Sequence, residues 1–293
     1  MPWIEVSLSV SRESAAAAET VLEQLGALAI TFEDDADKPV LEPGPGETPL
    51  WPAVQLRGLF ETGTPRQEII DALRLIPEVE KCGNIQWLEV ADQDWERAWL
   101  ERFQPMKFGE RLWIVPSGME VAHDADDIEI RLDPGLAFGT GSHPTTALCL
   151  EWLDQRQLAG ERVVDYGCGS GILGIAAAMK GASEIHCVDI DPQALEATAE
   201  NAARNGVAQQ IACSSPKDFA GGEMDVVLAN ILAAPLISLA PVLASFVRPS
   251  GALVLSGLLQ EQEDQVAAAY LDDFELLNSK SLDGWLRVDF QKI

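Results

Sequence analysis

The run Val163–Gly171, which reads V-V-D-Y-G-C-G-S-G, constrains the fold of this chain more than any other segment. Its two β-branched valines suit a buried parallel strand. Three alternating glycines follow Asp165: Gly167, Gly169 and Gly171. Because glycine tolerates positive φ, they open a tight turn that lets a ligand approach the main chain closely. The apolar stretch Ile172–Met179 then predicts a helix that covers the strand.

A second strand, predicted at Glu184–Ile190, delivers Asp189 to its carboxyl end. An acidic residue about 20 positions after a Gly-rich turn is placed to accept hydrogen bonds from a ribose diol. The combination indicates a Rossmann-like site for a cofactor that contains adenosine. The alternative is that the glycines only form a turn between the strand and the helix. The position of Asp189 at the end of the next strand favours a cofactor site.

The charge of the residues near the turn indicates which cofactor binds. Gly169, Gly171 and Gly174 match the dinucleotide pattern G-x-G-x-x-G, which is weak on its own. The longer pattern D-x-G-x-G-x-G, which begins at Asp165, resembles the first motif of class I S-adenosylmethionine-dependent methyltransferases. A pyrophosphate prefers bare N–H donors, whereas S-adenosyl-L-methionine carries an ammonium and a sulfonium group that a carboxylate attracts. We therefore expect this methyl donor, with S-adenosylhomocysteine as its product.

The rest of the C-terminal part predicts a seven-stranded sheet. Five further strands are predicted at Gln210–Cys213, Met224–Ala229, Ala252–Ser256, Phe274–Asn278 and Trp285–Phe290. Helical patterns at Pro192–Asn205 and Pro235–Val247 separate the earlier ones. The last two strands lie a short turn apart, which requires an antiparallel pair. The expected fold class is α/β, a Rossmann-like seven-stranded methyltransferase domain; a dinucleotide dehydrogenase would more often continue with parallel units.

Asn230 directly follows one of these strands and should project into the crevice where ligands bind. The segment N-I-L-A resembles the N-P-P-Y motif of amino-methylating enzymes, in which the Asn accepts a hydrogen bond from the substrate nitrogen. Ile231, Leu232 and Ala233 replace the prolines and the aromatic residue, so stacking on a planar amide is not expected, but the Asn carbonyl remains available. The alternative role is to cap the following helix, since Asn is a good N-cap, and the two roles can coexist.

A second unusual segment, Asp133–Thr146, is rich in glycine and proline around Phe138 and leads into a helix. Thr145 lies in the first turn of that helix, where its hydroxyl and nearby N–H groups could bind a carboxylate. With this loop, the chain resembles the family of methyltransferases that act on ribosomal protein L-eleven (L11). The resemblance covers most of the chain and is carried by M-P-W-I, W-E-R-A-W-L, D-P-G-L-A-F-G-T-G, V-D-Y-G-C-G-S-G-I-L, D-I-D-P and A-N-I-L-A. It implies that S-adenosylmethionine contacts Thr145, Gly167, Asp189 and Asn230.

The N-terminal part predicts a smaller, ferredoxin-like α+β domain. Strand and helix patterns follow the order β-α-β-β-α-β over residues 1–90. In the family such a domain presents the ribosomal protein to the catalytic domain; a purely structural domain is the alternative. Trp95, Trp99 and Phe103 recur at helical spacing, which predicts a linker helix within 91–110 and a possible hinge. The methyltransferase domain is expected at 111–293.

The net charge of the chain limits the kind of partner that it can bind. The chain has 47 acidic and 20 basic residues, a net charge of −27. Such a field repels nucleic-acid phosphates and attracts a basic partner. A basic protein of the large ribosomal subunit is therefore favoured and RNA as the direct substrate is not; the alternative is that the acidity serves solubility alone.

Five scattered cysteines show neither metal-ligand spacing nor a disulfide framework, so no metal is expected. Cys149 and Cys187 should be small core residues, and Cys168 a tightly fitting side chain in the turn. Of the histidines only His143 lies near the expected site. We expect it to stabilise the loop through a hydrogen bond, and a role as general base is the alternative. No segment resembles a signal peptide or a membrane span. We expect a cytoplasmic monomer.

The expected reaction is attack of a neutral amine, terminal or lysyl, on the methyl donor near Asn230. An ordinary lysine has a pKa of about 10.4, so the crevice must desolvate the amine. Repeated methylation of several amines is implied by the resemblance. A small-molecule or RNA methyltransferase, a non-enzymatic S-adenosylmethionine-binding regulator and a dehydrogenase remain alternatives.

Overall fold

The computed structural model describes residues 3–35, 51–76, 79, 85–90, 104–122, 124–133, 139 and 141–293. The chain divides into two units, Met1–Arg97 and Ala98–Ile293. The predicted linker stripe of Trp95, Trp99 and Phe103, together with Cys82 and Phe138, lies outside the described residues.

In its described residues the first unit has one antiparallel sheet and two helices. In chain order these are β1 (Trp3–Ser11), α1 (Arg12–Gln24), β2 (Ala29–Asp34), β3 (Ala53–Glu61), α2 (Arg66–Leu73) and β4 (Gln86–Val90). The strand order is β2-β3-β1-β4, with every neighbouring pair antiparallel. Side chains of β1 alternate between buried and partly exposed, because successive residues of a strand point to opposite faces. The buried set packs against Ala15, Ala18 and Leu22 of α1. The element order is the predicted β-α-β-β-α-β.

The described part of the second unit starts, from Gln104 on, with a three-stranded sheet that the sequence did not predict. It consists of β5 (Met106–Phe108), β6 (Leu112–Val115) and β7 (Ile128–Arg131). Strands of three and four residues contain too few alternations to produce a recognisable pattern.

The large sheet has the seven predicted strands. They are β8 (Arg162–Tyr166), β9 (Glu184–Val188), β10 (Ile211–Ser214), β11 (Met224–Asn230), β12 (Val247–Leu259), β13 (Phe274–Leu282) and β14 (Trp285–Lys292). Their order is β10-β9-β8-β11-β12-β14-β13. The first five run parallel, and β14 is antiparallel to both of its neighbours. The predicted α/β fold with its closing antiparallel pair is confirmed.

Helices cover both faces of this sheet. They are α3 (Pro144–Gln155), α4 (Ile172–Met179), α5 (Pro192–Arg204), α6 (Ala233–Ser238), α7 (Ala240–Phe246) and α8 (Glu263–Ala268). Val163 packs into the core on the side of α3 and α4, and its neighbour Val164 packs into the core on the side of α6, α7 and α8. Both valines are fully buried, which explains why two apolar residues stand next to each other in this strand instead of alternating with polar ones.

The prediction of one continuous helix was wrong. The single helix expected at Pro235–Val247 is two short helices, α6 and α7, which meet at Leu239. Pro241 explains the break, because a proline has no N–H to donate to the carbonyl of Ile237 and its ring would clash with that carbonyl. In the described part of the chain no helix combines the length and apolar character needed to cross a membrane.

Candidate active site

The Gly-rich turn between β8 and α4 adopts a backbone that only glycine accepts easily. Gly167, Gly169 and Gly171 have φ values of 79°, 54° and 76°. A Cβ at Gly167 would lie 2.3 Å from Cγ2 of Ile231, and one at Gly171 would lie 2.6 Å from Cγ2 of Thr198. Both the backbone conformation and the lack of space therefore require glycine here.

Asp189 follows β9 and is fixed beside this turn. Its Oδ2 accepts a hydrogen bond from the Gly169 amide at 2.9 Å, and its Oδ1 accepts one from the Asp191 amide at 3.0 Å. The side chain is half-buried. Because each carboxylate oxygen has two lone pairs, both oxygens can still accept from a diol.

The side chain of Asp165 is buried beneath the turn, and 1% of the surface of this residue is exposed. Its Oδ2 accepts a hydrogen bond from the amide of Gly174 at 2.9 Å. Burial raises the pKa of Asp165 to about 7, the Gly174 amide opposes that rise, and the charge of Asp189 adds to it. A cation in the neighbouring cavity would favour the ionised form.

One cavity of about 330 Å³ is lined by Asp165, Gly167, Gly169 and Asp189, together with Thr146, Pro216 and Asn230 among others. This volume lies within the range of roughly 300–1,000 Å³ that small-molecule sites occupy. The cavity contains the carboxylate of Asp189, which can bind a ribose, and the buried carboxylate of Asp165, which can attract a cationic group. Its walls are otherwise largely apolar. Its donor set and the glycine cradle therefore fit S-adenosylmethionine.

Asn230, the last residue of β11, has one satisfied and one unsatisfied side-chain atom. Its Nδ2 donates to the Thr146 hydroxyl at 3.2 Å. Its Oδ1 is buried and has no hydrogen-bond partner among the residues that the structure describes. The alternative role as helix cap is wrong, because α6 begins later, with Leu232 at its N-cap.

A second cavity, of about 440 Å³, also borders Asn230. Its lining is largely apolar and consists of His143, Thr145, Asn230, Ile231, Leu232, Pro235, Gly257 and Trp285. The two cavities share Asn230, Ile231 and Pro235. We call the first the cofactor cavity and the second the acceptor cavity.

Of the four predicted cofactor contacts, Gly167, Asp189 and Asn230 line the cofactor cavity. Thr145 lines the acceptor cavity instead, and the neighbouring Thr146 faces the cofactor cavity. The direct contact of Thr145 with the cofactor stays a prediction.

His143 is the N-cap of α3. Its Nδ1 accepts a hydrogen bond from the Thr145 amide at 3.3 Å and lies 2.8 Å from the Thr145 hydroxyl. Its ring meets Trp285 edge to face, with 4.9 Å between centroids. Burial lowers the pKa of His143, so the imidazole is neutral near pH 7. His143 does stabilise this segment, as the sequence predicted.

A buried ion pair, which the sequence analysis missed, anchors α3 to the sheet. Arg287 and Asp289 on β14 are 4% and 7% exposed and make two hydrogen bonds, of 2.7 and 2.9 Å. Arg287 also donates to the carbonyl of Leu148 in α3 at 2.6 Å. The signal in the sequence is W-L-R-V-D-F, where two opposite charges occupy alternate positions of an otherwise apolar strand.

Cys168 lines the cofactor cavity, while Cys149 and Cys187 lie in the core behind it. Cys149 and Cys187 are fully buried, as predicted, and Cys168 is 5% exposed beside Thr198. Burial raises the pKa of Cys149 to about 12, so it is unreactive. Within the described ranges no group of three His, Cys, Asp or Glu side chains could hold a metal ion.

Comparisons with known proteins agree on one family. The family model described as "Ribosomal protein L11 methyltransferase (PrmA)" matches residues 2–293. A ribosomal protein L11 methyltransferase from Pseudomonas putida (strain W619) is 52% identical over 289 residues, 98% of each chain. One from Pseudomonas aeruginosa (strain LESB58) is 50% identical over 296 residues, again 98% of each chain. The crystal structure of ribosomal protein L11 methylase from Lactobacillus delbrueckii subsp. bulgaricus has a TM-score of 0.60 and 32% identity, and the match covers 65% of this chain and 99% of that chain.

Proposed function

The chain belongs to the ribosomal protein L11 methyltransferase family, and we propose that it methylates lysine side chains and the N-terminal amine of ribosomal protein L11. The donor is S-adenosyl-L-methionine. When bound, this cofactor supplies an activated methyl group to a nucleophile.

The buried, unpartnered Oδ1 of Asn230 carries this proposal. A buried carbonyl without a donor is costly, and an amine nitrogen supplies N–H donors. Asn230 borders both cavities, so an amine bound to its Oδ1 would lie at the junction of donor and acceptor. Holding both reactants in this way supplies much of the acceleration in such transfers.

We propose Gly167, Asp189 and Asn230 as cofactor contacts, with Asn230 also acting as the catalytic residue that orients the amine. Asp189 would accept from the ribose diol, and the Gly167 cradle would allow the close approach. Thr145, the fourth predicted contact, would reach the cofactor only where the two cavities meet.

The acceptor cavity would favour the neutral form of the amine that attacks the methyl group. Its described lining contains no carboxylate, so the cavity disfavours an ammonium ion and favours the neutral, nucleophilic form. Its apolar walls would exclude water. The 440 Å³ volume supports the accommodation of an amine that already carries methyl groups.

The substrate would be recognised by the N-terminal domain, residues 1–90, joined through 91–110 to the methyltransferase domain 111–293. A net charge of −27 favours a basic ribosomal protein and disfavours RNA as the direct substrate. We further propose that the enzyme acts as a monomer in the cytoplasm.

The test is transfer of labelled methyl from S-adenosylmethionine to ribosomal proteins taken from cells that lack this enzyme. The proteins are separated by mass and the labelled one is fragmented. Label on lysines and the N-terminus of L11 is expected. Label on RNA, or cofactor binding without any transfer, would contradict the proposal; the second result would indicate a regulator.

A further inference from the structure

Thr145 and His143 form a hydrogen-bonded pair that lines the acceptor cavity. The Thr145 hydroxyl lies 2.8 Å from His143 Nδ1. Thr145 is 1% exposed, so its position is fixed by packing in the first turn of α3. Ser256 reinforces this position, because its hydroxyl donates to the Thr145 carbonyl at 3.2 Å.

The direction of this hydrogen bond follows from the capping geometry. The Thr145 amide donates to Nδ1 of His143, so Nδ1 carries no proton in the neutral ring. In this tautomer the Thr145 hydroxyl donates to the same nitrogen and shares the single lone pair of that nitrogen with the longer amide contact, and the hydroxyl oxygen keeps its own lone pairs to accept. This is the arrangement in which a hydroxyl can take a proton while passing its own proton to an imidazole.

We propose that Thr145 and His143 form a proton relay that deprotonates the acceptor amine, an inference that rests on the proposed function. The N–H bond of the ammonium breaks and its proton goes to Thr145 Oγ1. The hydroxyl proton of Thr145 goes to His143 Nδ1, and the electron pair stays on the amine nitrogen as the nucleophile. His143 then releases its proton to water, and the relay is ready for the next methyl transfer.

Charged side chains on the elements around the pair form ion pairs with one another. On β14, Arg287 and Asp289 face α3 and pair with each other. On α3 itself, Glu151 pairs with Lys280 of β13. Asn230 and Ser256, which face the pair from β11 and β12, are uncharged. Burial lowers the pKa of His143, so the ring is neutral near pH 7.

The test compares three variants with the unmodified protein on unmethylated L11. His143→Asn keeps a good N-cap but has no basic nitrogen. Thr145→Val removes the hydroxyl at nearly constant volume, and Thr145→Ser retains it. For each, kcat/KM is measured from pH 6 to 10, and the affinity for S-adenosylmethionine is measured by calorimetry.

At pH 7 we expect His143→Asn and Thr145→Val to lose about 100- to 1,000-fold in kcat/KM, within the roughly 10²- to 10⁴-fold that general-base catalysis typically contributes. The rate of His143→Asn should then rise about tenfold per pH unit and approach the unmodified rate near pH 10, where the amine loses its proton unaided. Thr145→Ser should stay within threefold. Cofactor affinity should change little in all three.

A second readout is independent of activity. Nitrogen chemical shifts of the three histidines, with His143 assigned by its absence from the Asn variant, should show an unprotonated Nδ1 at pH 7. In Thr145→Val the Nδ1 signal should move.

Two results would overturn the relay: a His143→Asn defect that is constant across pH, or an Nδ1 that carries the proton. A Thr145→Val protein that loses cofactor affinity as much as rate would instead make Thr145 a cofactor ligand. If the unmodified protein transfers no methyl to L11, the proposed function itself fails, which is distinguishable from a failure confined to the variants.

Discussion

Asn230 donates its side-chain amide to the hydroxyl of Thr146 at 3.2 Å, and this bond fixes which end of the Asn side chain remains free. Asn230 lies on β11 and Thr146 on α3, and the two residues are 84 positions apart in the chain. With Nδ2 engaged, Oδ1 is the acceptor left at the boundary of the two cavities.

Asn230→Ala should therefore reduce methyl transfer by about 100-fold or more, the scale seen when one positioned polar contact is removed from an active site. Affinity for S-adenosylmethionine, measured by calorimetry, should fall far less. Thr146→Val should give a smaller loss of rate, because Asn230 remains but is no longer oriented. Equal losses of rate and affinity in Asn230→Ala would reassign this residue to cofactor binding.

Gly167→Ala should weaken cofactor binding and destabilise the protein. The new Cβ would lie 2.3 Å from Cγ2 of Ile231 at a φ of 79°, and the strained backbone alone costs about 1–3 kcal/mol. Gly206→Ala is the matched control, since its φ of 71° imposes similar strain but the Cβ would meet no described atom within 4 Å. Urea unfolding should show destabilisation of both variants, and calorimetry should show weaker cofactor binding only at Gly167. Normal cofactor affinity in Gly167→Ala would refute the close approach at this turn.

Asp165 should link cofactor binding to pH. Burial raises its pKa to about 7, so a cationic cofactor group that favours the ionised form should expel a proton. Near pH 7, calorimetry in buffers of different ionisation enthalpy should detect proton release on binding, and affinity should rise as the pH increases through 7. Asp165→Asn should abolish both effects. An unchanged proton release in Asp165→Asn would assign the proton to another group.

The same pKa predicts an unusual stability profile without cofactor. Because the pKa of Asp165 is higher in the folded state than the ordinary value of 3.8, the folded protein binds more protons between those two pH values. This contribution to the free energy of unfolding is therefore fully present below the ordinary pKa and is lost as the pH rises toward 7. Comparison of urea unfolding in Asp165→Asn and the unmodified protein should isolate it; parallel pH profiles would argue against it.

Arg287→Met should destabilise the protein by about 3–5 kcal/mol, because it leaves the carboxylate of Asp289 buried without its partner. The double variant Arg287→Met with Asp289→Leu should recover much of that loss. Lys280→Ala offers a control in the exposed pair with Glu151, where about 0–1 kcal/mol is expected. Urea unfolding measures all three. A cost for Arg287→Met no larger than that for Lys280→Ala would contradict the anchoring role of the buried pair.

Much of the fold could be predicted from sequence because its signals are local. The continuous apolar character of Val163 and Val164 marks a strand covered on both faces, and the glycines mark a turn that side chains cannot occupy. The strand pattern of the large sheet and the antiparallel pair at its end were predicted correctly. The prediction failed where local signals were weak, at the short strands β5 to β7, or where proline broke a helical pattern at Pro241.

The amino-acid sequence by itself determined the glycine turn, the carboxylate at Asp189 and the position of Asn230 after a strand, since each depends on a few neighbouring residues. Only the tertiary structure decided that Thr146 and not Thr145 faces the cofactor cavity, and that an acceptor cavity exists beyond Asn230. The physical reason is distance along the chain. The rotation and depth of α3 are set by contacts with β12 and β14, through Ser256 and Arg287, which lie 111 and 139 positions from the α3 residues that they bind.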